Sequence, residues 1–216
     1  LSRPDAHRAE NRSQYVESEW HDPAVEIYLE TERLVLRGIT ESDLDDLVDL
    51  NGDPEVMRFL NGGKPMPPAE VRDRILPKML AYNARTDGFG RWATVEKATG
   101  DFLGWHHFGP TGEMPPGEVE LGYRLRKSAW GKGYGTEASR ALVRKGFTEL
   151  GVRRVVAFTM TVNTGSRKVM EKTGLSYVRT FFEDWPEPIE GSDQGDVEYA
   201  LSEEDWWLSR PRAGSR

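Results

Sequence analysis

Trp130-Gly-Lys-Gly-Tyr-Gly-Thr-Glu-Ala138 is the stretch on which the reading of this chain turns. Before it, Val119-Glu-Leu-Gly-Tyr-Arg-Leu125 alternates as a strand does. After it, Ala138, Leu142, Val143, Gly146, Phe147 and Leu150 recur on one side of a helix that starts just past Gly135 and ends at Gly151. A helix start leaves its first N–H groups without intrahelical partners, and such an end binds anions. Glycines 131, 133 and 135 let the backbone approach a diphosphate with no Cβ in the way, and Lys132 adds a positive charge. Taken alone, a plain glycine turn entering a helix would read the same way. Two other phosphate loops do not fit: Lys132 precedes Gly133 instead of a Ser or Thr, and Thr136 stands where a dinucleotide fingerprint needs its last glycine.

Working outward, Val25, Ile27 and Leu29 alternate, and Leu34-Val-Leu-Arg-Gly-Ile39 reads as a buried strand. Thr40 with Asp43 marks a helix start, followed by Leu44, Leu47, Val48 and Leu50 at helical spacing. Asp53-Pro-Glu opens another helix that Asn61-Gly-Gly stops, and 68–83 reads as helical with Pro77 as a kink or break. Arg91–Glu96 and Phe102–Phe108 form a hairpin about Lys97-Ala-Thr-Gly-Asp101. Val155–Thr161 is a β-branched strand and Ser166–Lys172 a short helix stopped by Gly174. Leu175–Phe182 is a strand, and Val197–Leu201 returns antiparallel to it. The expected class is α+β, with a central, mostly antiparallel mixed sheet flanked by helices. One domain over 23–208 is expected, with a flexible arm over 1–22 and a tail over 209–216. Leu1 in place of methionine reads as a trimmed start.

The 216 residues are 37% apolar and 30% charged, enough for a packed core. No run is long and apolar enough for a bilayer, and Leu1-Ser-Arg-Pro-Asp5 lacks the apolar run of a secretory signal, so a soluble, cytoplasmic protein with no membrane partner is expected. The absence of cysteine excludes disulfides, thiolate nucleophiles and cysteine-ligated zinc, and no metal is expected. A net charge of −7 argues against a nucleic-acid partner. Glu41 to Glu55 holds seven acids and no base, and Glu183 to Glu198 again holds seven, whereas Arg124, Arg126, Lys127 and Lys132 cluster without an acid between them. These read either as acidic walls for a cation beside a basic spot for an anion, or as solvated surface.

The run from Leu121 to Ala138 resembles the acetyl-CoA signature of the GNAT superfamily, and within it the RimJ/RimL-like branch of ribosomal-protein N-acetyltransferases. Thr31-Glu-Arg-Leu-Val-Leu-Arg37 is similar to that branch's first strand, and Asn163-Thr-Gly-Ser-Arg-Lys-Val-Met-Glu-Lys-Thr-Gly-Leu175 to its late helix and glycine stop. Trp130 replaces the superfamily's usual glutamine or arginine, as an aromatic commonly does in this branch. The resemblance implies a GNAT fold with a splayed pair of strands, one carrying Tyr123 and the other following Arg154. The arm of acetyl-CoA would lie along the backbone of Tyr123, Arg124 and Leu125, and its diphosphate on the amides of Gly131, Lys132, Gly133, Tyr134, Gly135 and Thr136. Asn163 would hold the far side, and Lys132, Arg167 and Lys168 are candidates for the peripheral phosphate.

It also implies transfer of acetyl from acetyl-CoA to a primary amine by direct attack in a ternary complex. Glu120 is the candidate base, or else a surface carboxylate or ion pair with Arg124. Many superfamily members protonate the leaving thiolate with a tyrosine where this chain has Met170. In the RimJ/RimL-like branch a serine serves, and Ser166 matches it, with a helix cap as its alternative role. His106 and His107 alternate, so one side chain can reach the cleft while the other points away. The expected acceptor is a peptide N-terminal amine. The alternatives are a small cationic amine such as an aminoglycoside or polyamine, held by the acidic loop with Trp185, and a non-catalytic acyl-CoA sensor. Monomer and homodimer stay open.

Overall fold

The computed structural model describes residues 26–84, 88–182 and 187–210. The expected arm over 1–22, Val25, Trp185 and the tail from 211 lie outside the described residues. Eight strands form one sheet: β1 Ile27–Glu30, β2 Leu34–Gly38, β3 Gly90–Glu96, β4 Phe102–Gly109, β5 Glu118–Leu125, β6 Arg154–Met160, β7 Ser176–Phe181 and β8 Asp196–Ser202. Their order is β1-β2-β3-β4-β5-β6-β8-β7, and every neighbouring pair is antiparallel except β5 with β6. This is the expected α+β class. β8 returns antiparallel to β7 and also inserts beside β6.

Helices cover both faces. On one lie α1 Leu44–Gly52, α2 Pro54–Asn61 and a run, α3, made of Pro68–Glu70, a π-turn at Val71–Ile75 and Leu76–Asn83. On the other lie α4 Tyr134–Glu149, α5 Thr164–Thr173 and α6 Glu203–Leu208. Each face has its own core. Leu47, Leu50, Val71, Leu76 and Met79 pack with Ala93 and Trp105 on the α1–α3 side. Leu121, Leu125, Leu142, Phe147, Val155 and Met170 pack together on the α4–α6 side. Strand alternation feeds the two: on β5, Val119, Leu121, Tyr123 and Leu125 face α4 and α5, and Glu120, Gly122 and Arg124 face the other way.

At Pro77 the helical run changes from the π-turn to a new α-helical stretch whose first turn holds the proline. The widened turn just before it, where the N–H of Leu76 reaches back to the Val71 carbonyl, absorbs the ring and the missing donor. α6 was not expected from sequence. Ser202 caps it by accepting from the Asp205 N–H, and Trp206 inserts beside Phe147 with ring centroids 5.4 Å apart. Two glycines set close approaches. A Cβ on Gly146 of α4 would lie 2.5 Å from the Phe108 ring, and one on Gly104 of β4, at φ +137, would lie 2.1 Å from the Arg124 carbonyl oxygen. Among the described residues no helix is long and apolar enough to cross a membrane.

Candidate active site

β5 and β6 pair through three positions, Glu118↔Arg154, Val119↔Val155 and Glu120↔Val156, and the register ends there. Beyond Glu120, β5 runs on to Leu125 with a partner on the β4 side alone, while β6 continues to Met160 against β8. The two parallel strands therefore splay, leaving backbone donors and acceptors of β5 open along Tyr123 and its neighbours, as expected.

At the wide end sits the glycine loop. Gly131 and Gly133 have φ of 73° and 86°, a region that favours glycine, and a Cβ on Gly135 would come into van der Waals contact with Leu125 and Val169. Among the described residues the N–H groups of Gly131 to Thr136 donate to no other group, and the first bond at this helix start runs from the Glu137 N–H to the Gly133 carbonyl. These residues fit a diphosphate: open donors, a helix N-terminus and no Cβ in the cradle. The Trp130 indole donates to the Leu125 carbonyl at 2.9 Å, tying the loop to the end of β5. Tyr134 offers the loop only its backbone; its ring is buried in the core and its hydroxyl bonds Glu96. Among the described residues Lys132 makes no ion pair, whereas Arg126 and Lys127 are held by Asp46 and Glu55, which narrows the basic spot toward the loop itself. Arg167 is engaged by the Tyr199 hydroxyl and the Thr161 carbonyl, and Lys168 is exposed.

Asn163, not Ser166, caps α5. Its Oδ1 accepts from the Ser166 N–H at 3.1 Å and its Nδ2 donates to Thr159 Oγ1 at 3.1 Å. That frees the serine side chain. The Tyr123 hydroxyl, coming from β5, lies 2.9 Å from Ser166 Oγ and 3.0 Å from the Ser166 carbonyl, so a pair of hydroxyls bridges the splay. Burial pushes the Tyr123 phenol up, with the Ser166 bond opposing, so the phenol keeps its proton at neutral pH. Sequence reading had given Tyr123 a backbone role only. The missed signal was the alternation itself: Tyr123 is the one polar side chain among Val119, Leu121 and Leu125 on that face of β5. Met170 is buried in the core beside it and has no proton to give.

Glu120 faces the opposite side. It accepts from Thr111 Oγ1 at 2.6 Å, and no ion pair joins it to Arg124. A Cβ on Gly122 would fill the space between Glu120 Oε1 and His107. Both histidines are buried. His106 shares a 2.7 Å bond with Thr94 Oγ1, His107 a 3.2 Å bond with the Gly109 carbonyl, and burial pulls each pKa down to about 4, with the nearby Arg91 charge adding to this at His107. They are neutral packed side chains. A concavity of about 1,070 Å³ lies between α4, α6 and the β1–β2 turn. It borders the loop at Gly133 and Thr136 but includes neither Glu120, Tyr123 nor Ser166.

A splayed strand pair with an open glycine loop at a helix start fits an acyl-CoA-dependent acyltransferase. Residues 33–176 match the family model described as acetyltransferase (GNAT) domain, and the chain belongs to that family. It is an acetyl-CoA-dependent N-acetyltransferase. A relative from Aspergillus fumigatus, named FsC-acetyl coenzyme A-N(2)-transacetylase, is 35% identical over 184 residues, covering 82% of this chain and 77% of the relative. Among solved structures, a GNAT-family acetyltransferase from Bacillus anthracis superposes with a TM-score of 0.68 at 22% identity, over 82% of this chain and 98% of its own. RimL, a ribosomal L7/L12 α-N-protein acetyltransferase in complex with coenzyme A, superposes with a TM-score of 0.67 at 21% identity, over 82% and 98%. The last two are likenesses of fold.

Proposed function

We infer that the acceptor is an α-amine, at a peptide N-terminus or on an amino-acid-like molecule, and that the Tyr123–Ser166 pair supplies the proton that ends the reaction. The single observation that carries this reading is the 2.9 Å hydroxyl pair across the splay, where the thiol end of the donor's arm would lie. Acetyl-CoA supplies the thioester; the rest falls to the chain. Open backbone groups of β5 at Tyr123, Arg124 and Leu125 align the arm, and the amides of Gly131 to Thr136 hold the diphosphate. Ser166 donates a proton to the departing sulfur and takes one in turn through the Tyr123 hydroxyl, which solvent reprotonates, in place of the tyrosine that Met170 precludes. Glu120 takes the amine's proton directly or through one water, its second oxygen steadied by Thr111.

The acceptor class follows from proton supply. At pH 7 a lysine-like amine must give up about 4–5 kcal/mol to become neutral, an α-amine only about 1–1.5. A single partly exposed carboxylate suffices for the second and not for the first. Part of the acidic charge is already answered within the chain, Glu187 by Lys64, Glu190 by Arg58, Asp43 by Arg37 and Asp46 by Arg126, which weakens the case for a polycation. The name of the Aspergillus fumigatus relative, an N(2)-transacetylase, likewise points to a nitrogen acceptor. Thiol release from acetyl-CoA, measured with peptide N-termini, Nα-blocked lysine, spermidine and an aminoglycoside, tests the reading. Release on the last three alone would overturn it.

A further inference from the structure

On the face of the sheet that carries Glu120, two arginines flank one tryptophan. Register places Ala93 of β3 and Arg124 of β5 on either side of Trp105 of β4, with Arg91 one step along. The Arg124 guanidinium lies 5.3 Å and the Arg91 guanidinium 5.9 Å from the Trp105 ring centroid, and Arg91 also stands 5.7 Å from the ring of Tyr82. Among the described residues neither has a carboxylate within ion-pair distance. Arg37, by contrast, is matched by Asp43 across 2.6 Å. Arg124 has only the neutral Oδ1 of Asn51, itself fully buried, and the Nε atoms of both arginines are buried with no partner. Two cations held side by side with unmet donors raise each other's cost, and burial together with the Arg91 charge pulls the Arg124 pKa down to about 10. Among the described residues the remaining guanidinium nitrogens of Arg91, and the second Nη of Arg124, meet no acceptor, and none of them is among the buried atoms left without a partner.

Resting on the α-amine reading above, we propose that Arg91 and Arg124 form an oxyanion-recognition site for a carboxylate carried by the amine acceptor itself. Planar guanidiniums fixed by ring stacking suit two carboxylate oxygens, and an anion there would remove the repulsion that the fold leaves in place. The spacing agrees. Gly122 and Glu120 lie two and four residues from Arg124 on the same face, roughly 7 and 13 Å at 3.3 Å per residue. The shorter of these distances matches the span of a dipeptide, whose amine would lie by the splay with its carboxylate on the arginines.

The test compares glycylglycine, alanylalanine and phenylalanylalanine with their carboxamides as acceptors, at equal concentration of neutral amine, in the parent and in Arg91→Gln and Arg124→Lys. Alongside, calorimetry compares binding of benzoylglycine and benzoylglycinamide. The expected result is at least a tenfold preference for the carboxylate form in kcat/KM, falling toward unity in Arg91→Gln with the KM for acetyl-CoA unchanged, and binding of benzoylglycine alone. Equal turnover of acid and amide would overturn the arginine site and leave acetylation of α-amines standing. Binding of benzoylglycine over its amide, with no α-amine acetylated, would do the reverse. Equal or absent binding of the two probes also overturns the site, whether or not either variant folds.

Discussion

Ser166 and Tyr123 sit on different elements and meet through side chains alone, so each can be altered without touching the backbone that holds the donor. Ser166→Ala and Tyr123→Phe are each expected to lower kcat by about 10²-fold, with the KM for acetyl-CoA within about threefold of the parent. Because the two hydroxyls act as one proton path, the double variant should lose far less than the product of the single losses, a non-additivity that steady-state kinetics on all four proteins would reveal. Glu120→Gln should lower kcat/KM at neutral pH and recover toward the parent as pH rises and the amine loses its proton unaided. At this scale the sequence was partly legible. Ser166 could be picked out, but its cap role and its acid role could not be separated, because Asn163 has the same capping chemistry three residues earlier and only coordinates show which side chain accepts from the Ser166 N–H. The ion pair imagined between Glu120 and Arg124 fails because Asn51 and Thr111, from segments remote in sequence, take those two side chains instead.

Strand β4 is the element on which both cores and the site depend. It lies between β3 and β5, and Gly104 lets it pass the Arg124 carbonyl where a methyl group would collide. Gly104→Ala is expected to cost about 3 kcal/mol or more in denaturant unfolding, since both the positive φ and the 2.1 Å approach oppose it. The same strand buries His106 and His107 as neutral rings whose pKa values, about 4, lie below the ordinary 6.5. The unfolded chain takes up their protons as pH drops below 6.5 and the folded chain does not. Stability from these rings is thus complete above that pH and is lost as pH falls from about 6.5 through 4, by a few kcal/mol for the pair. Melting temperature should decline over that window, less steeply in His107→Gln; an equal decline in both proteins would contradict this account of β4. Elements of this kind were readable from periodicity, as α4 and β5 show. Pro77 was not, because the π-turn that accommodates it depends on Val71, Leu76 and Met79 packing on the sheet and not on any local signal. α6 escaped notice because its six residues are anchored by Trp206 against Phe147, a contact between distant parts of the chain.

The molecule as a whole is a sheet with helices on both faces, opened at one place. Order of elements and the class of fold could be inferred from three spaced motifs, while the breadth of the opening depends on β8 pairing along the whole of β6 and holding it away from β5. Charge behaves likewise at this scale. The two acidic runs stand out in sequence, yet in space Lys64, Arg58, Arg37 and Arg126 answer some of their carboxylates, whereas the arginines beside Trp105 have no carboxylate at ion-pair distance among the described residues. An enzyme so arranged favours an acceptor that arrives with little excess proton and brings its own anion. The most direct test is thiol release from acetyl-CoA with alanine or a short peptide beside Nα-blocked lysine and spermidine, each at saturating donor. The account predicts release at least tenfold above hydrolysis with the free α-amines and none above background with the other two. Release driven by blocked lysine or spermidine, with the α-amines inert, would contradict it.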